Sequence, residues 1–329
     1  MLRLFFISLQ IIDRTPHSQN TDNLTVVTGF YLMGFSNTWE LQVLHAMSFL
    51  LIYLVALIGN LLIFTLITLD GHLHIPMYFF LKNLSFLDLC FISVTVPKSI
   101  ENSLSRSCSI SFFGCVLQVF LVILFAGSEI LLLMVMSYDH YIAICQPLHY
   151  ESKMNKGFCM KMATSSWLIG GLFGAMYSGS TFSLPFCGPN EVHQCFCDVP
   201  SLLRISCAET HTAVDVSVAF GITLGIFCCI ATCISYGHIF STVLKIPTTE
   251  GRSKAFSTCL PHLIVLVIFI TTGMLSYIKP PLDSDSVLDL LLSVLYSVAP
   301  PTLNAVIYSL RNRDMKMSLR KLLTQKHFL

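Results

Sequence analysis

The sequence predicts an all-α membrane protein, a seven-transmembrane helix bundle, and three observations carry that reading. Of 329 residues 54% are hydrophobic and only 11% charged, far less charged surface than a soluble domain needs. The apolar residues fall in blocks long enough to cross a bilayer, which takes about 20 residues per helix. Lysine and arginine collect in alternate loops, the asymmetry that orients a membrane chain.

Hydropathy places the blocks at about 41–69, 77–97, 112–138, 158–180, 211–244, 256–278 and 287–310. They use most of the chain, leaving no separate soluble domain. The expected division is an extracellular N-terminal segment 1–40, a bundle 41–310 and a cytoplasmic tail 311–329. With the N-terminus outside, the cytosolic segments carry Lys153, Lys156, Lys161, Lys245, Arg252, Lys254, Arg311, Arg313, Lys316, Arg320, Lys321 and Lys326. That is twelve of the nineteen Lys and Arg. A net charge of +1 says nothing about nucleic acid, and no basic cluster interleaved with aromatics occurs, so no nucleic-acid partner is expected. "MLRLFFISLQIIDR" has a faint signal-peptide shape, but no small-residue cleavage site follows. "NLT" at Asn23 is a glycosylation sequon on the outer side. "NLS" at Asn83 lies within the second block, out of reach of the enzyme.

Most of the thirteen cysteines sit in the apolar blocks, where a thiol packs as a small hydrophobe. Cys187, Cys197 and Cys207 instead lie in the long loop between the fourth and fifth blocks, and Cys115 lies near the outer end of the third. All four face the oxidising side, where disulfides persist. Four cysteines allow three pairings and spacing does not choose among them. Cys195 is an odd fifth, and a zinc site at "CFCD" lacks nearby histidine pairs.

Two carboxylates interrupt apolar runs, Asp88 in "LSFLDLC" and Glu129 in "FAGSEILLL". A charge at the bilayer centre costs about 2.5–3.5 kcal/mol, so both are expected to face the bundle interior. They read either as a buried cation site or proton-coupled switch, or as hydrogen-bonded structural acids with at least one protonated. "GGLFG" (170–174) and "GITLG" (221–225) match G-x-x-x-G, here a sign of close helix packing. No H-E-x-x-H, P-loop, G-x-G-x-x-G or G-x-S-x-G occurs, so nothing positive supports an enzyme.

"PMYFFLKNLSFLDLC", "MSYDHYIAICQPLHY", "SYGHIFSTVLKI", "KAFSTCLPHL" and "PTLNAVIYSLRN" fall in order, each at the expected end of its block. They closely resemble the signature segments of vertebrate olfactory receptors, a branch of the rhodopsin-like class A G-protein-coupled receptors. The likeness spans about residues 23–322, and "NLTVVTGFYLMGFSNTWELQ" is most similar to the tetrapod-type group. The resemblance implies a multi-pass plasma-membrane receptor with a disulfide-bridged second extracellular loop and a short amphipathic cytoplasmic helix. It implies an odorant ligand, a stimulatory heterotrimeric G protein as partner, membrane lipid around it, and no cofactor beyond a bound sodium ion. By position, Asn60 and Asp88 would be interior polar anchors, Glu129 with Asp88 would hold the sodium, and Trp167 matches the fourth-helix tryptophan. Cys115 would bridge to Cys197, and Cys187 to Cys207. Tyr236 and Tyr308 would be tyrosines that swing inward on activation.

Two departures fall on the switch. The family's Asp-Arg-Tyr reads Asp139-His140-Tyr141, replacing an always-charged five-donor fork with a shorter, largely neutral ring. The family's Asn-Pro-x-x-Tyr reads Asn304-Ala305-Val306-Ile307-Tyr308. Alanine is expected to restore a bond to the Pro301 carbonyl and straighten the helix. His140 is expected to stand at a cytosolic helix end, where it can hydrogen-bond Asp139.

Val122 lies seventeen residues before Asp139, where amine receptors carry an acid, so a cationic ligand lacks a counter-ion. Val122, Ile123, Ala126 and Gly127 form a small apolar face. Phe220, Tyr277 and Tyr296 are expected to add aromatic walls and hydroxyls. The leading expectation is an odorant receptor that raises cAMP. A rival keeps the fold with weak or absent signalling because of His140 and Ala305. A transporter, suggested by the buried acids, would show inverted repeats or broken helices, and the two halves show no convincing repeat.

Overall fold

The computed structural model describes residues 28–32, 38–104, 108–187, 190–192, 194, 196–208, 210–278, 298–308 and 313–325. The helices are α1 (Trp39–Leu69), α2 (Pro76–Leu104), α3 (Phe112–Cys145), α4 (Lys156–Phe182), α5 (Thr212–Lys245) and α6 (Thr249–Ile278). Residues 298–308 form a helix, α7, and α8 (Arg313–Gln325) follows. Five helices, α1, α2, α3, α5 and α6, are long and apolar enough to cross a membrane. The Gly- and Ser-rich α4 packs along α3, and α7 represents part of the seventh expected block.

Element ends follow hydrogen bonding rather than hydropathy, so several helices outrun their blocks. Ser111 Oγ accepts from the Gly114 N–H and starts α3. Asn155 Oδ1 accepts from the Phe158 N–H and starts α4. Each satisfies a donor that the first helical turn leaves free. α2 continues through Pro97 to Leu104, and α3 runs on to Cys145. The Asp-His-Tyr trio therefore lies inside the last turns of α3.

α3 is the axis of the bundle, contacting α2, α4, α5 and α6. The "GGLFG" motif explains its closest approach. A Cβ on Gly170 would strike Ser128 Oγ and the Leu124 carbonyl, and one on Gly174 would lie 2.7 Å from the Phe120 carbonyl. Ser128 Oγ uses the proximity to donate to the Ser166 carbonyl at 3.2 Å. In "GITLG" only Gly221 meets a neighbour, Tyr177, while Gly225 faces open space.

At the outer end three short strands form a sheet of order β2-β1-β3: β1 (Gly29–Leu32), β2 (Cys108–Ser111) and β3 (Glu191–Val192). β1 is antiparallel to β2, pairing Gly29 with Ser111, and parallel to β3, pairing Tyr31 with Glu191. Phe30 is fully buried, 5.4–6.4 Å in ring centroids from Phe112, Phe182 and Phe186. This clamps the N-terminal segment onto the bundle. Disulfides join Cys115 to Cys197 and Cys187 to Cys207. Cys195 and Asn23 lie outside the described residues.

Candidate functional site

The interior polar site is built from three helices. Asp88 on α2, Glu129 on α3 and Asn304 on α7 are all at most 2% exposed. Asn304 Nδ2 donates to Asp88 Oδ2 at 3.1 Å, to Asp88 Oδ1 at 3.3 Å and to Glu129 Oε1 at 3.0 Å. One neutral amide thus draws two carboxyl groups together. It supplies hydrogen bonds and no charge, so a proton or a cation must balance the pair. One layer away, Asn60 Nδ2 donates to the carbonyls of Ala56 and Pro301, each at 3.0 Å. α7 stays helical across Ala305. A Cβ placed on Gly59 would lie 2.7 Å from the Ala305 methyl, so α1 and α7 touch there.

A second polar layer lies toward the C-terminal end of α3. Tyr150, in a short helix Tyr150–Lys153, donates to Asp139 Oδ1 at 2.8 Å. Burial, then the Asp139 carboxylate, raise the Tyr150 phenol above its ordinary range, so it keeps the proton it donates. His140 is 3% exposed and its ring lies 5.3 Å from that of His262 on α6. His262 Nε2 lies 3.0 Å from the Leu133 carbonyl. A carbonyl only accepts, so Nε2 carries the proton and Nδ1 accepts from the Tyr236 hydroxyl at 2.7 Å. Among the described residues the Tyr308 hydroxyl is buried without a hydrogen-bond partner. Tyr141 is half-buried beside His238, and its hydroxyl accepts from Gln146 Nε2 at 2.9 Å.

The outer half is tied by Gln118, whose Oε1 accepts from the Cys197 N–H at 2.9 Å while Nε2 donates to the Val94 carbonyl at 3.0 Å. One turn further along α3, Val122 is 6% exposed and packs in the apolar core with Phe125.

A family model described as Olfactory receptor matches residues 49–326. The chain belongs to the olfactory receptor family. It is 58% identical over 305 residues to human Olfactory receptor 14A2, covering 93% of this chain and 97% of that one. It is 56% identical over 304 residues to human Olfactory receptor 14A16, covering 92% and 98%. The fold matches the crystal structure of squid rhodopsin with a TM-score of 0.70 at 16% identity, covering 87% of this chain and 86% of the other. The molecule is a rhodopsin-like G-protein-coupled receptor of the plasma membrane, a signalling receptor and not an enzyme.

The receptor structure corrects several expectations. His140 does not reach for Asp139, which Tyr150 already occupies. In the last turns of α3 it is buried, its ring against that of His262. Gly127 backs onto Gly170, 3.5 Å from an added Cβ, so it belongs to the α3–α4 contact and not to an interior pocket wall. Phe220 is 58% exposed. Ile123 and Ala126 are half-buried beside the core. The Tyr277 side chain and Tyr296 lie outside the described residues. Sequence reasoning assigned no role to Tyr150, Gln118 or His262. A lone histidine in the apolar run after Pro261 was the available signal for the last of these.

Proposed function

We propose that this olfactory receptor binds small, mainly neutral, volatile organic molecules within the helical bundle and activates a stimulatory heterotrimeric G protein to raise cAMP. The observation that carries the ligand class is Val122, buried and uncharged on α3 one turn below the disulfide-tied Gln118 layer. Ile123 and Ala126 extend the apolar face, and Tyr277 and Tyr296 would supply orienting hydroxyls. A pocket of this kind favours an apolar body with one or two polar groups. In this reading residues 1–40 are extracellular, with Asn23 glycosylated, and 311–329 are cytoplasmic. The test is an odorant panel on cells carrying a cAMP reporter, with Val122→Asp beside the unaltered chain. Neutral odorants should activate only the unaltered chain. No response to any neutral odorant, from a receptor shown to be at the surface, would refute the reading.

The same reading gives Asp88 and Glu129 a sodium ion. Their oxygens converge on Asn304, and hard cations take oxygen ligands. A rotated Asn304 amide would offer its own oxygen as a third ligand. The ion would supply the charge balance the pair requires.

A second reading rests on His140. With its ring buried against His262, the residue lacks the fork that turns toward a G protein, and the receptor would bind odorant with weak or absent signalling. Odorant-evoked cAMP indistinguishable from mock cells, together with saturable odorant binding, would select it.

A further inference from the structure

Lys82 carries a charge into a membrane helix, and among the described residues it forms no ion pair. It lies six residues past Pro76 on α2, about 9 Å along the axis from the end nearest the first cytosolic loop. Its Nζ sits 4.7 Å above the Phe64 ring. The ion pair found among the described residues is Lys98 with Glu101, at the other end of the helix. A cation at this depth is costly unless it is paired or its stem carries it toward the headgroups.

Beside it an aromatic row crosses the outer surface of three helices. Phe64 on α1 and Phe86 on α2 lie 6.2 Å apart, and Phe86 lies 5.9 Å from Trp167 on α4. Phe86 is 45% exposed although it stands in the middle of an apolar run. Phe86 and Trp167 lie about 15 and 16.5 Å from the cytosolic starts of their helices. The surface therefore presents a positive charge near the membrane boundary and an apolar track leading inward. That profile complements an anionic headgroup on an acyl chain, and the cytoplasmic leaflet is the one that attracts lysine.

We propose that Lys82, Phe64, Phe86 and Trp167 form a site for an anionic glycerophospholipid of the cytoplasmic leaflet. Lys82 Nζ holds the phosphate, and an acyl chain lies along Phe86 and Trp167. The test uses the full receptor in nanodiscs of phosphatidylcholine doped with phosphatidylserine, with retained lipid counted by native mass spectrometry. The receptor should retain phosphatidylserine over phosphatidylcholine. Lys82→Met keeps the apolar stem and should lower that retention about five-fold, the share of one lysine facing an anionic leaflet. Lys82→Arg should keep it, and Phe86→Ala should lower it with the charge still present. Lys161→Met removes an exposed cation on α4 at similar depth and should change nothing. Equal retention by Lys82→Met and the unaltered receptor would overturn the proposal. So would an equal loss with Lys161→Met, which would mean diffuse surface attraction.

Discussion

Replacing Asn304 by leucine removes the one amide that Asp88 and Glu129 share, at nearly constant volume. The amide has two protons and three acceptors at 3.0, 3.1 and 3.3 Å, so two hydrogen bonds are lost, one of them divided between the oxygens of Asp88. A bond to a charged group is worth about 1.5–3 kcal/mol and a neutral one about 0.5–1.5 kcal/mol. With one acid ionised and the other neutral, the expected loss is about 2–4 kcal/mol. The assay is thermal unfolding of the purified receptor in nanodiscs, in sodium and in choline chloride. A cation that takes over the site should recover part of the loss in sodium alone, growing with the logarithm of its concentration. The control is the same substitution in an Asp88→Leu, Glu129→Leu background, where the amide has neither acceptor. There it should cost nothing, because the amide left without acceptors is already a buried unsatisfied group. The coupling read from the cycle should be at least as large as the loss. A loss under about 0.5 kcal/mol, or one equally large in the background, would show that the geometry carries no energy.

Four further outcomes are expected. Cys197→Ser should abolish surface expression, since a bridge closing a long loop is worth about 2–4 kcal/mol, while Cys195→Ser should not; peptide mapping that joins Cys195 to Cys115 would contradict this. His140→Arg should raise odorant-evoked cAMP per receptor at the surface, and adding Ala305→Pro should raise it further, so equal responses from all three chains would count against the reading of the switch. Ser318→Ala should loosen α8 from the first cytosolic loop, seen as faster motion of a spin label on Arg320, because Ser318 donates to Asp70. That hydroxyl first, with the His72 N–H and Lys321, holds the Asp70 carboxyl below its ordinary value of 3.8. A depressed carboxyl stabilises above its unfolded value, so the α8 contact should be constant near neutrality and weaken only as pH falls below about 4.

The parts legible in the sequence are those written in composition. The apolar blocks and two acids in apolar runs were enough to place α1–α6 and to flag Asp88 and Glu129, while the block 287–310 is described only in part. Their meeting point was not legible, because Asn304 reaches them across 216 and 175 residues of chain. Helix ends were misjudged where hydropathy falls before hydrogen bonding stops, as between Tyr138 and Cys145 on α3. The sheet was invisible, since strands of four, four and two residues take their register from distant partners.

The two departures from the family pattern now have different physical weights. Any rearrangement that parts α3 from α6 must separate His140 from His262 and break the His262 bond to the Leu133 carbonyl. A ring contact is worth about 0.5–1.5 kcal/mol beyond its burial, and a neutral hydrogen bond about the same. The bond belongs to His262 and survives any exchange at position 140. The share owed to His140 is therefore the ring contact, a factor of about two to twelve in the resting population. Arginine in its place must also find an anion, and Asp139 is already held by Tyr150, so the exchange gives back part of what it gains. Ala305 acts elsewhere, through its methyl against Gly59 on α1 and a backbone donor that proline lacks. His140 packs against α6 and Ala305 against α1, so their effects should add, and a double variant that exceeds the sum would mean that α7 and the α3–α6 layer move as one unit.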